Sequence, residues 1–234
     1  MNKLTVAALP EYTMTLPVSG MIVKYRPFVV KEEKVLLMAL QSGNQNQIND
    51  SIRNVVSACT KGILDTKKIC TADTEYAFLQ IRCKSVGEEV KPQVVCGKCN
   101  QSASYKLRLD DITVSQTEKD LVPPEIALNE NLTVIMRMPS MHDLDYNLSE
   151  VEMVIEMSKR CIDSFVIGEE VVQAKDLQTK EISDFVENLL PEQFEKIVQY
   201  FKTIPELRYS FKFTCPQCGE ANQIELKSVT DFFQ

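Results

Sequence analysis

Two Cys-x-x-Cys motifs, far apart in the sequence, limit what this chain can fold into. They read Cys96-Gly97-Lys98-Cys99 and Cys215-Pro216-Gln217-Cys218. Two thiolates separated by two residues can bind the same tetrahedral ion, because a tight turn brings both sulfur atoms to about 2.3 Å from the metal. We therefore predict that Cys96, Cys99, Cys215 and Cys218 bind one structural Zn²⁺ as the four ligands of a zinc ribbon.

The sequence around the motifs fits two facing hairpins joined by a long insertion. Gly97, Pro216 and Gly219 are small or turn-forming residues that favour a tight bend. In compact ribbons the two pairs are about 15–20 residues apart, whereas here residues 100–214 lie between them. Strand-like segments flank both motifs: Val94-Val95, 105–109, 207–213 and 224–226.

A disulfide pair and a redox-active pair are the alternatives to a zinc site. An intracellular context disfavours structural disulfides. Redox-active pairs usually open a helix after a strand, whereas strand-like sequence follows both motifs here. Four thiolates would leave no open position on the ion to activate water, so the predicted metal is a structural clamp.

The composition is that of an ordinary soluble globular protein, with 44% apolar and 25% charged residues in 234. The sequence contains no run of about 18 apolar residues, so we predict no membrane span. The first residues lack a signal-peptide pattern. We therefore expect a reducing cytoplasm, in which the other four cysteines are buried small apolar residues: Cys59, Cys70, Cys83 and Cys161. The net charge of −7 argues against nucleic-acid binding, which needs a cationic face.

The predicted fold class is α+β, in three parts. Residues 1–90 form a hairpin with its turn at Ser19-Gly20, followed by three helices, the third with Asp73 as its N-cap. Residues 91–110 and 206–228 form the zinc ribbon. Residues 111–205 form an inserted, mainly helical region that begins with a hairpin.

Within the inserted region, the pattern predicts a polar linker over 113–123 and a loop over 168–178. Ser149 and Glu152 form a capping box for a helix that buries positions up to Phe165. Pro191 can open a later helix. Met136, Met138 and Met141 fit either an adaptable binding surface or core packing.

The chain shows little sign of catalytic chemistry. His142 is its only histidine, and its neighbours match no nucleophile pattern. The seven glycines form no phosphate-binding loop. We predict a protein that is not an enzyme.

The N-terminal block resembles a known family. Leu16-Pro17-Val18-Ser19-Gly20, followed by Tyr25-Arg26-Pro27-Phe28-Val29-Val30-Lys31-Glu32-Glu33-Lys34, is similar to the start of the T4-like bacteriophage baseplate hub assembly proteins. The resemblance implies a late viral protein needed to build the central hub of a contractile tail, made in the host cytoplasm. It brings no catalytic residues with it.

Within that family the implied role divides between a hub subunit retained in the virion and an assembly factor that leaves. The leading prediction is a chaperone for the tape-measure protein or a hub protein, whose apolar helical seams it would cover. A permanent baseplate subunit is one alternative, and a zinc-ribbon adaptor or nucleic-acid module is another.

Five residues of the N-terminal block are candidates for partner binding: Tyr25, Arg26, Phe28, Lys31 and Lys34. An alternative needs no partner. Tyr25 and Phe28 would then fix a strand-to-helix corner, and residues 31–34 would form a solvated first helical turn.

Overall fold

The computed structural model describes residues 8–109, 112–114, 124–226 and 229. The chain divides into two compact units, one of residues 1–114 and 207–234 and the other of residues 115–206. The helices in the described residues are α1 Val30–Ser42, α2 Gln45–Cys59, α3 Thr71–Ser85, α4 Glu150–Cys161, α5 Thr179–Glu187 and α6 Pro191–Lys202. The strands there are β1 Tyr12–Thr15, β2 Ile22–Tyr25, β3 Glu89–Val90, β4 Gln93–Val95, β5 Ser102–Ser104, β6 Leu107–Arg108, β7 Thr113–Val114, β8 Glu125–Asn129, β9 Leu132–Met136, β10 Ile162–Ile167, β11 Glu170–Gln173, β12 Leu207–Thr214 and β13 Ala221–Leu226.

The predicted N-terminal hairpin is present as β1 and β2, which pair antiparallel from Tyr12↔Tyr25 to Thr15↔Ile22. Its connection is closed by the Leu16 N–H, which donates to the Met21 carbonyl at 2.9 Å. Gly20 has a φ of 68°, which glycine adopts without strain.

The sequence pattern predicts Asp73 as the N-cap of α3, and this prediction is wrong. The N-cap is Cys70, and Asp73 lies in the first helical turn with no exposed surface. Its carboxylate accepts hydrogen bonds from the Val18 and Ser19 backbone N–H groups at 2.9 and 3.0 Å. The carboxylate therefore stabilises the hairpin connection, a tertiary contact that outweighs the local capping preference.

The three helices of the first unit bury different amounts of their surface. α3 is buried on several sides, including Ala77, Leu79 and Ile81, and it packs against α2, which packs against α1. α1 ends at Gly43, whose φ is 65° and whose N–H donates to the Leu40 carbonyl. Val35 on α1 is exposed.

The strands on either side of the two Cys-x-x-Cys motifs lie in the same unit. β4 pairs with β5 around the first motif, and β12 pairs with β13 around the second. The return strand after the first motif is Ser102–Ser104, earlier than the predicted 105–109, and β6 pairs instead with β3. Thr113–Val114, predicted as part of a linker, pairs with β12. The rest of that predicted linker, residues 115–123, lies outside the described residues. The three-part division into N-terminal region, ribbon and insertion stays a prediction.

The second unit contains a four-stranded sheet with the order β11-β10-β9-β8. The helix after the Ser149–Glu152 capping box is confirmed, but it ends at Cys161, and Ile162–Ile167 forms β10. The predicted loop over 168–178 contains β11. Ile162 and Phe165 continue the spacing of the helix stripe, so periodicity alone does not reveal where the helix gives way to a strand.

The core of the second unit lies between its sheet and its helices. Phe165 of β10 meets Phe185 of α5 edge-on, with ring centroids 4.9 Å apart. Ile197 of α6 has no exposed surface. Met136 and Met141 are buried, which favours core packing over a binding surface for these two residues.

Candidate metal centre

The two Cys-x-x-Cys motifs form matching turns, which we call the first knuckle (residues 96–101) and the second knuckle (residues 215–220). In the first, the Asn100 N–H donates to the Cys96 carbonyl at 3.0 Å, and the Cys96 N–H donates to the Gln101 carbonyl at 3.0 Å. In the second, Gly219 and Cys215 donate in the same way to Cys215 and Glu220, at 3.0 and 2.8 Å. The same backbone turn therefore forms twice.

The residue after the second cysteine of each knuckle lies in the left-handed region of backbone conformation. Asn100 has a φ of 56° and Gly219 a φ of 73°. Glycine reaches this region without strain, and asparagine tolerates it better than most residues. Gly97 was predicted to permit the bend, but its φ does not lie in the left-handed region.

The four sulfur atoms lie together, all within 4.8 Å of one another. Cys96 Sγ is 3.7 Å from Cys218 Sγ, and Cys99 Sγ is 3.6 Å from Cys215 Sγ. A tetrahedral ion with about 2.3 Å bonds to sulfur would place its ligands about 3.8 Å apart. A disulfide needs about 2.05 Å, and none of the eight cysteines forms one. The spacing fits four ligands around one ion.

One thiol in each knuckle is poised to ionise. The backbone N–H groups of Cys99 and Lys98 stabilise the Cys96 thiolate and lower its pKa to about 6. The pKa of Cys215 is lowered by the equivalent N–H groups of Cys218 and Gln217. Both residues are buried. The hydrogen-bond donors that favour the thiolate are backbone N–H groups of the knuckle turns.

The other thiol in each knuckle is exposed and holds its proton more tightly. A bond from the Gln101 N–H lowers the pKa of Cys99, but desolvation and the neighbouring cysteine sulfurs outweigh it and raise that pKa to about 12. The pKa of Cys218 is also raised. Four thiolates this close repel one another, so a cation is the simplest way for all four to be anionic.

Other contacts join the two knuckles and the segments beside them. Lys98 Nζ lies 2.6 Å from Glu220 Oε2, and the Tyr105 hydroxyl donates to the Thr214 carbonyl at 3.2 Å. The Tyr105 ring also packs on Phe213. These residues are more than 100 positions apart along the chain, so sequence spacing gave no signal for them.

The family model for T4 bacteriophage base plate proteins matches residues 9–234. The chain belongs to this family. The matched region includes both knuckles, and the predicted T4-like baseplate relationship is confirmed. No curated protein and no solved structure gives a significant match to this baseplate family member.

The N-terminal block that resembles baseplate proteins forms a tightly bonded corner. The Arg26 guanidinium donates to both oxygens of the Glu32 carboxylate, at 2.6 and 3.0 Å, and this bond holds the Glu32 pKa below its usual range. The same carboxylate accepts from the Val29 N–H at 2.8 Å. Tyr25 is only 3% exposed, and burial raises its pKa to about 12.

The other candidates in this block are more accessible. Phe28 is half-buried, and its backbone N–H donates to Ser85 Oγ on α3 at 2.9 Å. Lys31 and Lys34 are exposed on the first turns of α1. The corner role therefore accounts for Tyr25 and Phe28, and the partner-binding role of all five residues stays a prediction.

His142 lies half-buried in a loop of the second unit. Its backbone N–H donates to Ser140 Oγ at 3.3 Å, and its carbonyl accepts from Arg160. A nearby polar cavity of about 640 Å³ is lined by Arg137 and Asp143, among others. These two side chains form a two-pronged ion pair at 2.8 Å, so each offsets the charge of the other.

The remaining cysteines behave as the sequence predicts for small apolar residues. Cys59, Cys83 and Cys161 are buried and Cys70 is half-buried. Burial raises the pKa of Cys59 to about 11 and that of Cys161 to about 12. Among the described residues, no helix is both long and apolar enough to span a membrane.

Proposed function

We propose that this baseplate family member is a non-enzymatic assembly factor of the phage tail. It would act in the host cytoplasm as a chaperone that binds the tape-measure protein or a hub protein through an apolar surface. The observation that carries this proposal is an exposed apolar face on α1 beside an apolar groove.

Four large apolar side chains are exposed on this helix of 13 residues, on the side that also carries Lys31 and Lys34. Val30 is 78% exposed, Met38 59%, Leu37 53% and Val35 49%. Exposed apolar residues are ordinary when they are scattered singly, but a cluster on one short helix is typical of a protein-binding surface. We call these four residues the α1 face.

An apolar groove of about 180 Å³ lies next to the α1 face. Leu37 belongs to both, and Ile52 and Phe78 contribute from α2 and α3. Pockets for small ligands are usually about 300–1,000 Å³, so this groove suits one or two large side chains. It matches the kind of site that receives the apolar anchor of a partner helix.

Lys31 and Lys34 stand exposed near the same face. Their charges would favour a partner with acidic residues beside its apolar stripe, and they would affect the rate of association more than its final strength. A tape-measure or hub segment with such an amphipathic helix is the partner we propose.

We also propose that the four clustered cysteines bind a structural Zn²⁺. The sulfur spacing supports a tetrahedral site, and the full set of thiolates would close the coordination shell. The ion would hold the two knuckles together and contribute to folding rather than to catalysis. Metal analysis of protein purified without added zinc, giving one ion per chain, would agree with this; a metal-free, fully folded chain would contradict it.

Mass spectrometry of purified phage particles, beside complexes isolated from infected cells with this protein, tests the assembly role. Absence from particles, together with tape-measure or hub protein in the complexes, is the expected result. Presence in particles at a fixed copy number would identify a permanent baseplate subunit instead. Salt-sensitive binding to DNA would favour the nucleic-acid module.

The α1 face can be tested in the same complexes. The double variant Leu37→Glu, Met38→Glu should reduce capture of the partner by about tenfold or more, because charges replace apolar contacts at the surface. Val151→Glu is the matched control, since Val151 is 70% exposed on a helix of the other unit. Equal capture by the double variant and the control would remove the α1 face as the binding surface.

The two lysines need a separate variant. Lys31→Glu, Lys34→Glu should leave the melting temperature unchanged, because both side chains are exposed, and should slow association most at low salt. Unchanged association at low salt would remove these lysines from the interface.

A further inference from the structure

Asn222 connects the two knuckles through a single side chain. Its Oδ1 accepts a hydrogen bond from the Gly97 backbone N–H at 3.0 Å, and its Nδ2 lies 3.5 Å from Cys96 Sγ. The same Nδ2 donates to the Glu220 carbonyl at 2.9 Å. One carboxamide thus contacts the backbone of both knuckles and one of the four sulfur atoms.

The orientation of this carboxamide follows from its partners. The Gly97 N–H can only donate, so it requires the oxygen of Asn222. The Glu220 carbonyl can only accept, so it requires the nitrogen. With both fixed, the N–H groups of Asn222 are the ones that face the Cys96 sulfur.

The arrangement is present on one side only. Asn222 pairs with Phe213 across the strands of the second hairpin, and Ala103 pairs with Val94 at the matching position of the first. An alanine side chain has no polar group to offer. The second hairpin therefore supplies, through Asn222, the carboxamide that contacts both knuckles.

We propose that Asn222 is a positioning residue of the metal centre. It holds Gly97, and with it the first knuckle, against the second, and it donates to the thiolate of Cys96. This inference rests on the metal site proposed above. It adds a residue that is not a ligand but sets how strongly the site binds metal.

Metal ligands in proteins generally depend on hydrogen bonds from neighbouring residues. A hydrogen bond to a coordinating atom fixes its orientation, and loss of such a partner typically weakens metal binding by about 10–100-fold. Here the first knuckle is also joined to the second by this side chain, so its loss should leave the four sulfurs less well arranged before the ion arrives.

The test compares Asn222→Leu and Asn222→Ala with the unchanged protein, using Co²⁺ and Zn²⁺ as probes with a competing chelator. Leucine keeps most of the volume of asparagine but cannot form the hydrogen bonds of its side chain. Alanine removes the volume as well as those hydrogen bonds. We expect both variants to bind each ion about 10–100-fold more weakly, with an altered sulfur-to-Co²⁺ charge-transfer spectrum. Gln223→Leu is the matched control, because Gln223 is the exposed neighbour of Asn222 on the same strand.

A second readout reports on the hydrogen bond itself. In the metal-loaded protein, amide exchange of Gly97 should speed up in Asn222→Leu and stay unchanged in Gln223→Leu. Unchanged metal affinity in Asn222→Leu would overturn the proposal, because it would leave only a packing role. If the unaltered protein bound neither ion, the metal site itself would fail, which is a different result from a failure confined to Asn222.

Discussion

The two knuckles have the same backbone turn but different surroundings. The first hairpin is short, with strands of three residues each, and the second has strands of eight and six residues. Both turns donate two backbone N–H groups to their first cysteine. The side-chain links between the two regions join residues more than 100 positions apart, as in Asn222 to Gly97, Lys98 to Glu220 and Tyr105 to Thr214. Each knuckle turn therefore forms from residues close together in sequence, whereas contacts between distant segments bring the two knuckles together.

Removing a ligand from either knuckle should have the largest effect. Cys96→Ser and Cys215→Ser should each weaken metal binding by more than the roughly 10–100-fold expected for a supporting hydrogen bond, and should lower the melting temperature. Chelator competition and thermal unfolding measure both effects. Wild-type metal content and melting in either variant would contradict the clamp.

The same comparison predicts a strong pH dependence of metal binding. The pKa of Cys96 is lowered to about 6, so this thiol is largely ionised at pH 7.5, and the pKa of Cys215 is lowered by the equivalent backbone N–H groups. Cys99 and Cys218 have raised pKa values and still carry protons there. Each ion bound should therefore release at least the two protons of Cys99 and Cys218, so affinity should rise by roughly 100-fold or more per pH unit between pH 7 and 8.

Calorimetry in buffers of different ionisation enthalpy measures that proton release. Below about pH 6 a further proton, from Cys96, should steepen the dependence. Release of no protons at pH 7.5 would mean that all four thiols are already ionised in the metal-free chain, against the asymmetry described here.

The left-handed position of each knuckle offers a smaller test. Gly219→Ala should destabilise the protein by about 1–2 kcal/mol, because a left-handed backbone strains any residue with a Cβ and nothing lies within 4 Å to add a steric clash. Asn100→Gly should be neutral or slightly stabilising. Chemical denaturation measures both changes.

Gly97→Ala is the control for that pair. A Cβ at Gly97 would lie 3.7 Å from Asn222 Oδ1, an ordinary contact, and the backbone there is not left-handed. Its stability should stay close to that of the unaltered protein. A cost at Gly97 as large as that at Gly219 would mean that the left-handed backbone is not the cause of the cost at Gly219.

The smallest effect should come from the ion pair between Lys98 and Glu220. Both side chains are largely exposed, so the pair should contribute about 0.2–1 kcal/mol. A double-mutant cycle with Lys98→Ala and Glu220→Gln measures this coupling, which should fall in high salt. A coupling unaffected by salt would point to a contact shielded from solvent.

Much of the fold was predictable because its signals are local. The first hairpin, the capping box at Ser149 and the helix opened by Pro191 depend on residues a few positions apart. The end of α4 and the start of β10 were not predictable, because Ile162 and Phe165 fit the helix stripe and only pairing with β9 makes them a strand. Asp73 was misassigned for a similar reason, since its partners lie 54 and 55 residues away.

The sequence by itself indicated the family, the four candidate metal ligands and the residues able to form the knuckle turns. These depend on residue type and short spacing, which the chain carries wherever it folds. Only the tertiary structure decided that Asn222 and Glu220 face the first knuckle, and that Val35 and Leu37 stay exposed on α1. The physical reason is that hydrogen bonds and burial between distant segments depend on how the elements pack, and no local pattern records that packing.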